Sequence, residues 1–362
     1  MRAPRLADVA ERAGVSEATV SRVLNGKPGV AESTRTAVLA AVDMLGYDRP
    51  AKLRRASAGL VGLIVPELVN PVFPGFVQVI EGALAAHAFT PILCTQTPGG
   101  IAEDDYVQMM CERGVSGIIF ISGLHADTTA DLDRYHQLRT RGLPFVLING
   151  YRENVDAACV SCDDVAAMHQ AVAHLTSLGH RRIGLATGPE RFVPVQRSVT
   201  GFRQAMAQLA GISEVDRFVA TTWYTVEGGA EAASRLVDQG CTALVFGSDI
   251  MALGAVQEIR RRGLDVPGDI SVIGHDDSPL IAFTDPPLTT LRQDVDAMGH
   301  AAVVSLLGEI EGRPAPRADL VFHAELVERG STAPVPSRPS SSVGTPVASS
   351  GENGPVPTKP RQ

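Results

Sequence analysis

No apolar run in the 362-residue sequence approaches the roughly 18 residues that a membrane-spanning helix needs, and the first residues lack the apolar core of a secretion signal. Both absences lead to the expectation of a cytoplasmic protein with no membrane partner. Five cysteines, at 94, 111, 159, 162 and 241, are an odd number with one close pair, and neither a second pair nor a histidine cluster completes a zinc site. They read as buried, reduced thiols, with no metal and no cofactor implied. Also missing are the phosphate loop G-x-x-x-x-G-K-[ST], a G-x-G-x-x-G after a strand and a G-x-S-x-G elbow, so no nucleotide site or hydrolase nucleophile is marked.

Overall basic charge is absent too: the net charge is -8, which would argue against a nucleic-acid partner if it were evenly spread. It is not. Residues 1–60 hold ten Lys or Arg against six Asp or Glu, a local +4 that leaves the remainder near -12.

Three zones follow from the patterning. Up to about Tyr47 the apolar residues recur at helical spacing: Leu6, Val9, Ala10 and Ala13, then Val20, Val23 and Leu24, then Val38, Ala41, Val42 and Leu45. Gly14, Gly26 and Gly46 follow the three stripes, where left-handed C-terminal caps fall. From about 60 to 330, short apolar runs alternate with amphipathic stretches; the strand candidates are LVGLIVPE, PILCTQ, GIIFIS, FVLING, RRIGLATG, ALVFGSD and ISVIGHDD. Continuous apolar strands separated by helices mean parallel sheets covered on both faces, and this many strands predicts two doubly wound α/β subdomains. From Ser331 the chain is rich in Pro, Ser and Gly without large apolar residues, the composition of a disordered tail.

The second stripe lies on a helix that Ser16 can cap, and the face opposite Val20, Val23 and Leu24 presents Glu17, Ala18, Ser21 and Arg22. A small, polar, exposed face one tight turn after another helix describes a DNA-reading helix-turn-helix. The plainer alternative is a small helical domain whose outer face is merely solvated.

LADVAERAGVSEATVSRVLNGKPGVAESTRTAVLAAVDMLGY resembles the headpiece of LacI-type bacterial transcription regulators, with its DVA-x-x-AGVS-x-x-TVSRV-x-N core, its VAESTR stretch and its helix ending in LGY. The resemblance implies that Glu17, Ala18 and Arg22 face base edges. Of these only Arg22 is a strong reader, because its guanidinium can fork onto guanine O6 and N7. Ser16, Thr19, Ser21 and Asn25 are then phosphate contacts that fix register without reading sequence. Ala31 departs from the family's usual serine cap, a loss worth about 1 kcal/mol. Between Tyr47 and the first strand, DRPAKLRRASAG is a short basic segment, shorter than the family's usual pattern. In the resembled family the segment folds on DNA and wedges a leucine into the minor groove, which makes Leu53 the candidate wedge; a plain basic linker is the alternative.

Ligands of doubly wound proteins bind at the C-terminal ends of strands. Those positions here hold Asn70 and Phe73, Ser122, Asn149, Asp249 and Asp276, and Trp223 sits beyond a short strand. Amides and carboxylates for hydroxyl groups, with an aromatic plane for a ring, suit a sugar. Each residue taken singly is also a plausible turn or helix cap. HLTSLGHRRIGLATGP, GSDIMALGAVQEI and VPGDISVIGHDDSPLIAFTDPPLTTLRQD resemble the same family's effector domain, which strengthens Asp249, Asp276 and Trp223 as effector contacts. The family's usual cleft arginine falls where this chain has Ser198, with Arg197 one place earlier and so turned by about 100° on a helix; Arg197 is the candidate effector contact in its place, reaching the cleft through a remodelled loop. Against this stands an enzyme reading with adjacent Asp276 and Asp277 as acid and base, or with His180 active; a surface or capping role suits His180 better.

The sequence thus predicts an all-α helix-turn-helix headpiece at 1–48, a hinge at 49–59, a two-lobed, periplasmic-binding-protein-like effector and dimerisation domain at 60–330, and a disordered tail at 331–362. The expected function is a DNA-binding transcriptional regulator, a repressor without catalytic residues, acting as a cytoplasmic, nucleoid-associated homodimer on a pseudo-palindromic operator under control of a small effector, a sugar. A purine or other metabolite acting as corepressor is the alternative effector, and a sugar-processing enzyme fused to a helix-turn-helix the alternative class. The tail has no leucine heptads, so a dimer rather than a tetramer is expected.

Overall fold

A computed structural model describes residues 4–24, 27, 29–47, 57–96 and 100–335. Asn25, Gly26, Leu53, most of the hinge and the tail beyond 335 lie outside the described residues.

Helices α1 (Leu6–Ala13), α2 (Glu17–Leu24) and α3 (Glu32–Leu45) enclose a core of Val9, Ala10, Val20, Val23, Val38 and Ala41. These are the apolar positions of the three helical stripes, with Leu6, Ala13, Leu24, Val42 and Leu45 half-buried around them. Gly14 and Gly46 end α1 and α3 with φ of 67° and 59°, a conformation that costs glycine little and a Cβ-bearing residue more.

The rest of the described chain forms two six-stranded sheets. The first runs in the order β11–β5–β4–β3–β1–β2, all parallel, from β1 (Gly59–Val65), β2 (Phe89–Thr95), β3 (Gly117–Ile121), β4 (Phe145–Ile148), β5 (Ala158–Cys162) and β11 (Asp319–Phe322). The second runs β12–β10–β9–β8–β6–β7, from β6 (Ile183–Thr187), β7 (Val219–Thr221), β8 (Ala243–Phe246), β9 (Ser271–His275), β10 (Thr289–Arg292) and β12 (Glu325–Val327). Here the parallel expectation needs one correction: β12 pairs antiparallel with β10. The chain returns from the first lobe at β11, turns within two residues at His323 and Ala324, and reaches β10 from the opposite direction.

The lobes exchange chain at Asp163, between Arg292 and helix α11 (Val295–Ile310), and between Phe322 and Glu325. Helix α11 packs on α4 (Val72–Ala86) and on β3, β4 and β5, so it belongs to the first lobe despite its late place in the sequence. Short strands escaped the sequence reading. β5 is ACVSC, small and partly polar yet wholly buried, and β10, β11 and β12 have three or four residues each, too few to show a period.

Two further expectations change. Ser331, placed at the start of the disordered tail, is fully buried: its hydroxyl donates to the Val272 carbonyl at 2.6 Å and accepts from the Thr289 amide at 2.8 Å. His180, read as a surface or capping residue, is 1% exposed. Its ring meets Thr242 Oγ1 at 2.8 Å, Ser271 Oγ at 3.1 Å and the Ala333 carbonyl at 3.0 Å, so it clasps the last described strand of chain onto the second lobe. Of the cysteines, Cys94, Cys159, Cys162 and Cys241 are buried as expected, while Cys111 is only half-buried; all five are reduced.

Candidate functional site

Helix α2 begins where Ser16 Oγ accepts the Thr19 amide at 3.2 Å and meets Thr19 Oγ1 at 3.0 Å. The cap fixes the helix start, and the burial of Val20 and Val23 fixes its rotation. Glu17, Ala18 and Arg22 are consequently exposed, with Ser21 half-buried beside them. The turn after α2 bears on the proposed reader directly. Gly29 has φ 84°, and a Cβ there would lie 3.2 Å from Arg22 Nη2, so glycine lets the guanidinium lie against the turn.

In the α/β part, residues at strand ends adopt unusual backbone. Ser122 after β3 (φ 46°), Asn149 after β4 (φ 60°) and Asp276 after β9 (φ 105°) are left-handed without being glycine. Such conformations persist only where surrounding structure enforces them, and they cluster at ligand sites. The strand ends of the two sheets also face each other, since loops after β1 and β9 meet: the Asn70 amide faces the Asp276 carboxylate and favours its charged form.

Asp276 is the centre of this meeting. It is 7% exposed, and Oδ1 accepts from Gln293 Nε2 at 2.7 Å. Burial first, and the nearby Asp249 carboxylate second, push it well above the ordinary carboxylate range. Asp276 Oδ2 and Gln293 Oε1 are buried and make no hydrogen bond among the described residues. Buried polar oxygens without partners are costly, and a ligand hydroxyl, able to donate or accept, is the kind of group that would satisfy them.

Asp249 stands one layer behind. It is 1% exposed; Oδ1 accepts from Thr290 Oγ1 at 2.6 Å and Oδ2 from the Ser278 amide at 2.7 Å. Oδ2 therefore holds the loop that carries Asp276 and Oδ1 ties Asp249 to β10, so both oxygens are engaged by the protein itself; burial raises its pKa to about 6. Ser122 and Asn149 form a second pair, with Asn149 Nδ2 donating to Ser122 Oγ at 3.4 Å. Phe73 is half-buried in the first turn of α4, and Trp223 is 64% exposed beyond β7.

Arg197, on α8 (Val193–Ala205), donates to Asp319 of β11 at 3.0 Å. Its guanidinium thus ties the second lobe to the first. The adjacent carboxylates Asp276 and Asp277 do not form an acid–base pair either. Asp277 is held by Arg292 Nε and Arg329 Nη2, each at 2.6 Å, while Asp276 bonds to Gln293.

Sequence reasoning missed Gln293 and a buried group in the first lobe. Glu103, 1% exposed, accepts from Tyr135 Oη at 2.5 Å, Gln96 Nε2 at 2.9 Å and the Leu124 amide at 2.9 Å. His125 beside it gives its ring Nε2 to the Asn149 carbonyl at 2.5 Å, and burial lowers its pKa, keeping it neutral. Glu103 opens helix α5 (Glu103–Glu112) in the string EDD, where it looks like any acidic first-turn residue; no sequence signal marks it as buried.

The comparisons agree in kind. The description "Bacterial regulatory proteins, lacI family" matches residues 5–49, and "Periplasmic binding protein-like domain" matches residues 172–332. The HTH-type transcriptional regulator reg1 of Streptomyces lividans is 61% identical over 336 residues, 92% of this chain and 97% of that protein. Among solved structures, the transcriptional regulator CelR–cellobiose complex is 30% identical, covers 91% of this chain and 99% of its own, and has a TM-score of 0.68. A lac repressor dimer bound to operator and the anti-inducer ONPF is 26% identical, covers 92% and 100%, and has a TM-score of 0.66. A three-helix headpiece matched by the lacI-family model, two facing α/β lobes and relatives matched along nearly their whole length place this chain in the LacI family of bacterial transcriptional regulators.

Proposed function

We propose that this regulator is a repressor whose operator affinity is set by a sugar held between the two lobes. The observation that carries the reading is the pair of buried side-chain oxygens without a hydrogen-bond partner among the described residues, Asp276 Oδ2 and Gln293 Oε1, at the place where the strand ends of both sheets meet. They call for hydrogen-bonding groups, and a polyol presents several hydroxyls at once, each able to donate or accept. Asn70, Ser122 and Asn149 add amide and hydroxyl partners, and Phe73 and the exposed Trp223 offer flat apolar surface for a ring. Cellobiose in the CelR complex supports the class by likeness. A purine uses the same donors less fully, and remains the second effector to test.

On the DNA side, Arg22 is the base reader in this account, Glu17 and Ala18 flank it, and Ser16, Thr19, Ser21 and Asn25 contact phosphates. Leu53, in the hinge, is the proposed minor-groove wedge. The chain works as a cytoplasmic, nucleoid-associated homodimer on a pseudo-palindromic operator. Exposed Leu280 and Phe283 on the second lobe and Val69 on the first supply apolar surface for a second copy, and the lac repressor neighbour is a dimer on its operator. Units at 1–48, 49–59 and 60–330 divide reading, coupling and sensing. No helix among the described residues is long and apolar enough to cross a membrane.

The direct test is Trp223 fluorescence during titration with cellobiose, ribose and hypoxanthine, read against operator binding in the same samples. A sugar that changes both supports the reading. A response to hypoxanthine alone moves the site to the purine class.

A further inference from the structure

The lobes touch at a second place, on the side of the cleft away from the chain crossings. The crossings use β5, β10, β11 and β12, whereas this contact joins the loop after β3 to the loop after β6, strands farther along each sheet. Asp127 Oδ2 meets Arg191 Nε at 2.8 Å, and the backbones pair as an isolated antiparallel bridge between Asp127 and Phe192. The Thr128 amide and hydroxyl each donate to the Arg191 carbonyl at 2.8 Å.

Each partner is held in place. The other oxygen of Asp127 accepts from the Thr129 amide at 2.9 Å and from its hydroxyl at 2.6 Å, and Arg152 Nη1 donates to the Asp127 carbonyl at 2.9 Å. Arg191 lies over the Phe192 ring, 4.8 Å from its centre. The base of the loop is fixed by Glu103 through the Leu124 amide and by Tyr135 Oη, which accepts from the His125 amide at 2.8 Å. Glycine is needed at two points of this base. A Cβ on Gly123 would stand 2.6 Å from Glu103 Oε2, and one on Gly150 would stand 2.5 Å from the Ala126 Cβ.

We propose that residues 123–130 form a latch, a stiff arm rooted on Glu103 whose tip closes the cleft through the Asp127–Arg191 ion pair. A pair with one buried and one partly exposed member is strong enough to bias two lobe arrangements and weak enough to break, and it feels salt through its exposed side. The latch sets the open-to-closed balance of the lobes before any effector binds, and so sets how far an effector can shift it. The proposal does not depend on what the effector is.

The protein carries its own distance reporter. Trp223, the only tryptophan, is on the second lobe, and Cys111, the one cysteine that is not buried, is on the first. A thiol-reactive acceptor on Cys111 of the full chain, diluted with unlabelled protein to suppress transfer between subunits, reads lobe separation by energy transfer. Arg191→Glu should lower transfer at low salt, and the wild type should fall toward the same value at about 1 M salt, where the screening length is about 3 Å. The exchange Asp127→Arg with Arg191→Asp should recover transfer. Small-angle scattering of the same full-length variants gives a label-free reading of opening. Wild-type transfer and scattering from Arg191→Glu overturn the latch, and so does an exchange variant that stays as open as Arg191→Glu. Because no ligand is used, failure here leaves the effector reading standing.

Discussion

Arg197 Nη2 on the second lobe donates to Asp319 Oδ2 on the first at 3.0 Å, and Asp164 lies within the field of both. The family's usual arginine is one residue later on the helix. A step of one residue rotates a side chain by about 100°, and in its turned position Arg197 ties one lobe to the other.

Arg197→Ala is therefore expected to leave the response to effector unchanged while lowering the melting temperature. The pair is partly exposed and contributes about 0–1 kcal/mol by itself, but its loss also leaves the Asp319 carboxylate without its cation. Thermal melts and Trp223 titration of the same variant separate the two effects. Loss of the effector response with unchanged stability would restore Arg197 to the cleft.

Asp164, buried, is pushed up to about 8, first by burial and then by Asp163 and Asp319, against the opposing pull of Arg197. Below the ordinary carboxylate range it is protonated whether the chain is folded or not. As pH rises from about 4 to about 8, the unfolded chain loses the proton while the folded chain keeps it, so stability falls through that window and levels off above it. Asp164→Asn removes this dependence. Denaturant melts at pH 5 and pH 8 should show the variant gaining on the wild type at the higher pH, and an equal difference at both would contradict the burial account.

Arg22→Ala should cost operator selectivity by about 1–3 kcal/mol, the worth of one bidentate guanine contact, while salt-dependent binding to random DNA persists. Mobility shifts on operator and scrambled duplexes at two salt concentrations measure both. Unchanged selectivity would move reading to other residues.

Ala31 precedes α3 with φ -58° and ψ 144° and makes no side-chain cap. Ala31→Ser should add one and stabilise the headpiece by about 1 kcal/mol. Amide exchange of residues in α3 of the full chain is the readout, and no gain in protection would mean the hydroxyl does not reach the helix amides.

How much of this was legible in the sequence depended on whether a residue's role is local. The α2 face was readable because Val20, Val23 and Leu24 recur at helical spacing and Ser16 marks the start. The missing cap at Ala31 was readable for the same reason. The long apolar strands were readable; ACVSC and the short strands β10–β12 were not, because their burial comes from distant segments that cover them. The same limit applies in the site. Asn70 and Asp276 were found as strand-end residues, but that they face each other across two lobes is a property of packing. Asp249 looked like an effector contact because it follows a strand end within a stretch that resembles the family's effector domain, and only Thr290 and Ser278, far along the chain, show that its oxygens are already engaged. Glu103 and Gln293 gave no signal at all, since a first-turn glutamate and a loop glutamine are ordinary until their surroundings are known.

The central claim is that one ligand site, centred on Asp276, controls DNA binding. Operator affinity of the wild type and of Asp276→Asn, measured with and without a sugar that alters Trp223 fluorescence, tests it most directly. The account predicts equal affinities without the sugar, a shift with it in the wild type, and no shift in Asp276→Asn. A variant that responds as the wild type does, or an operator affinity that no bound sugar changes, would contradict it.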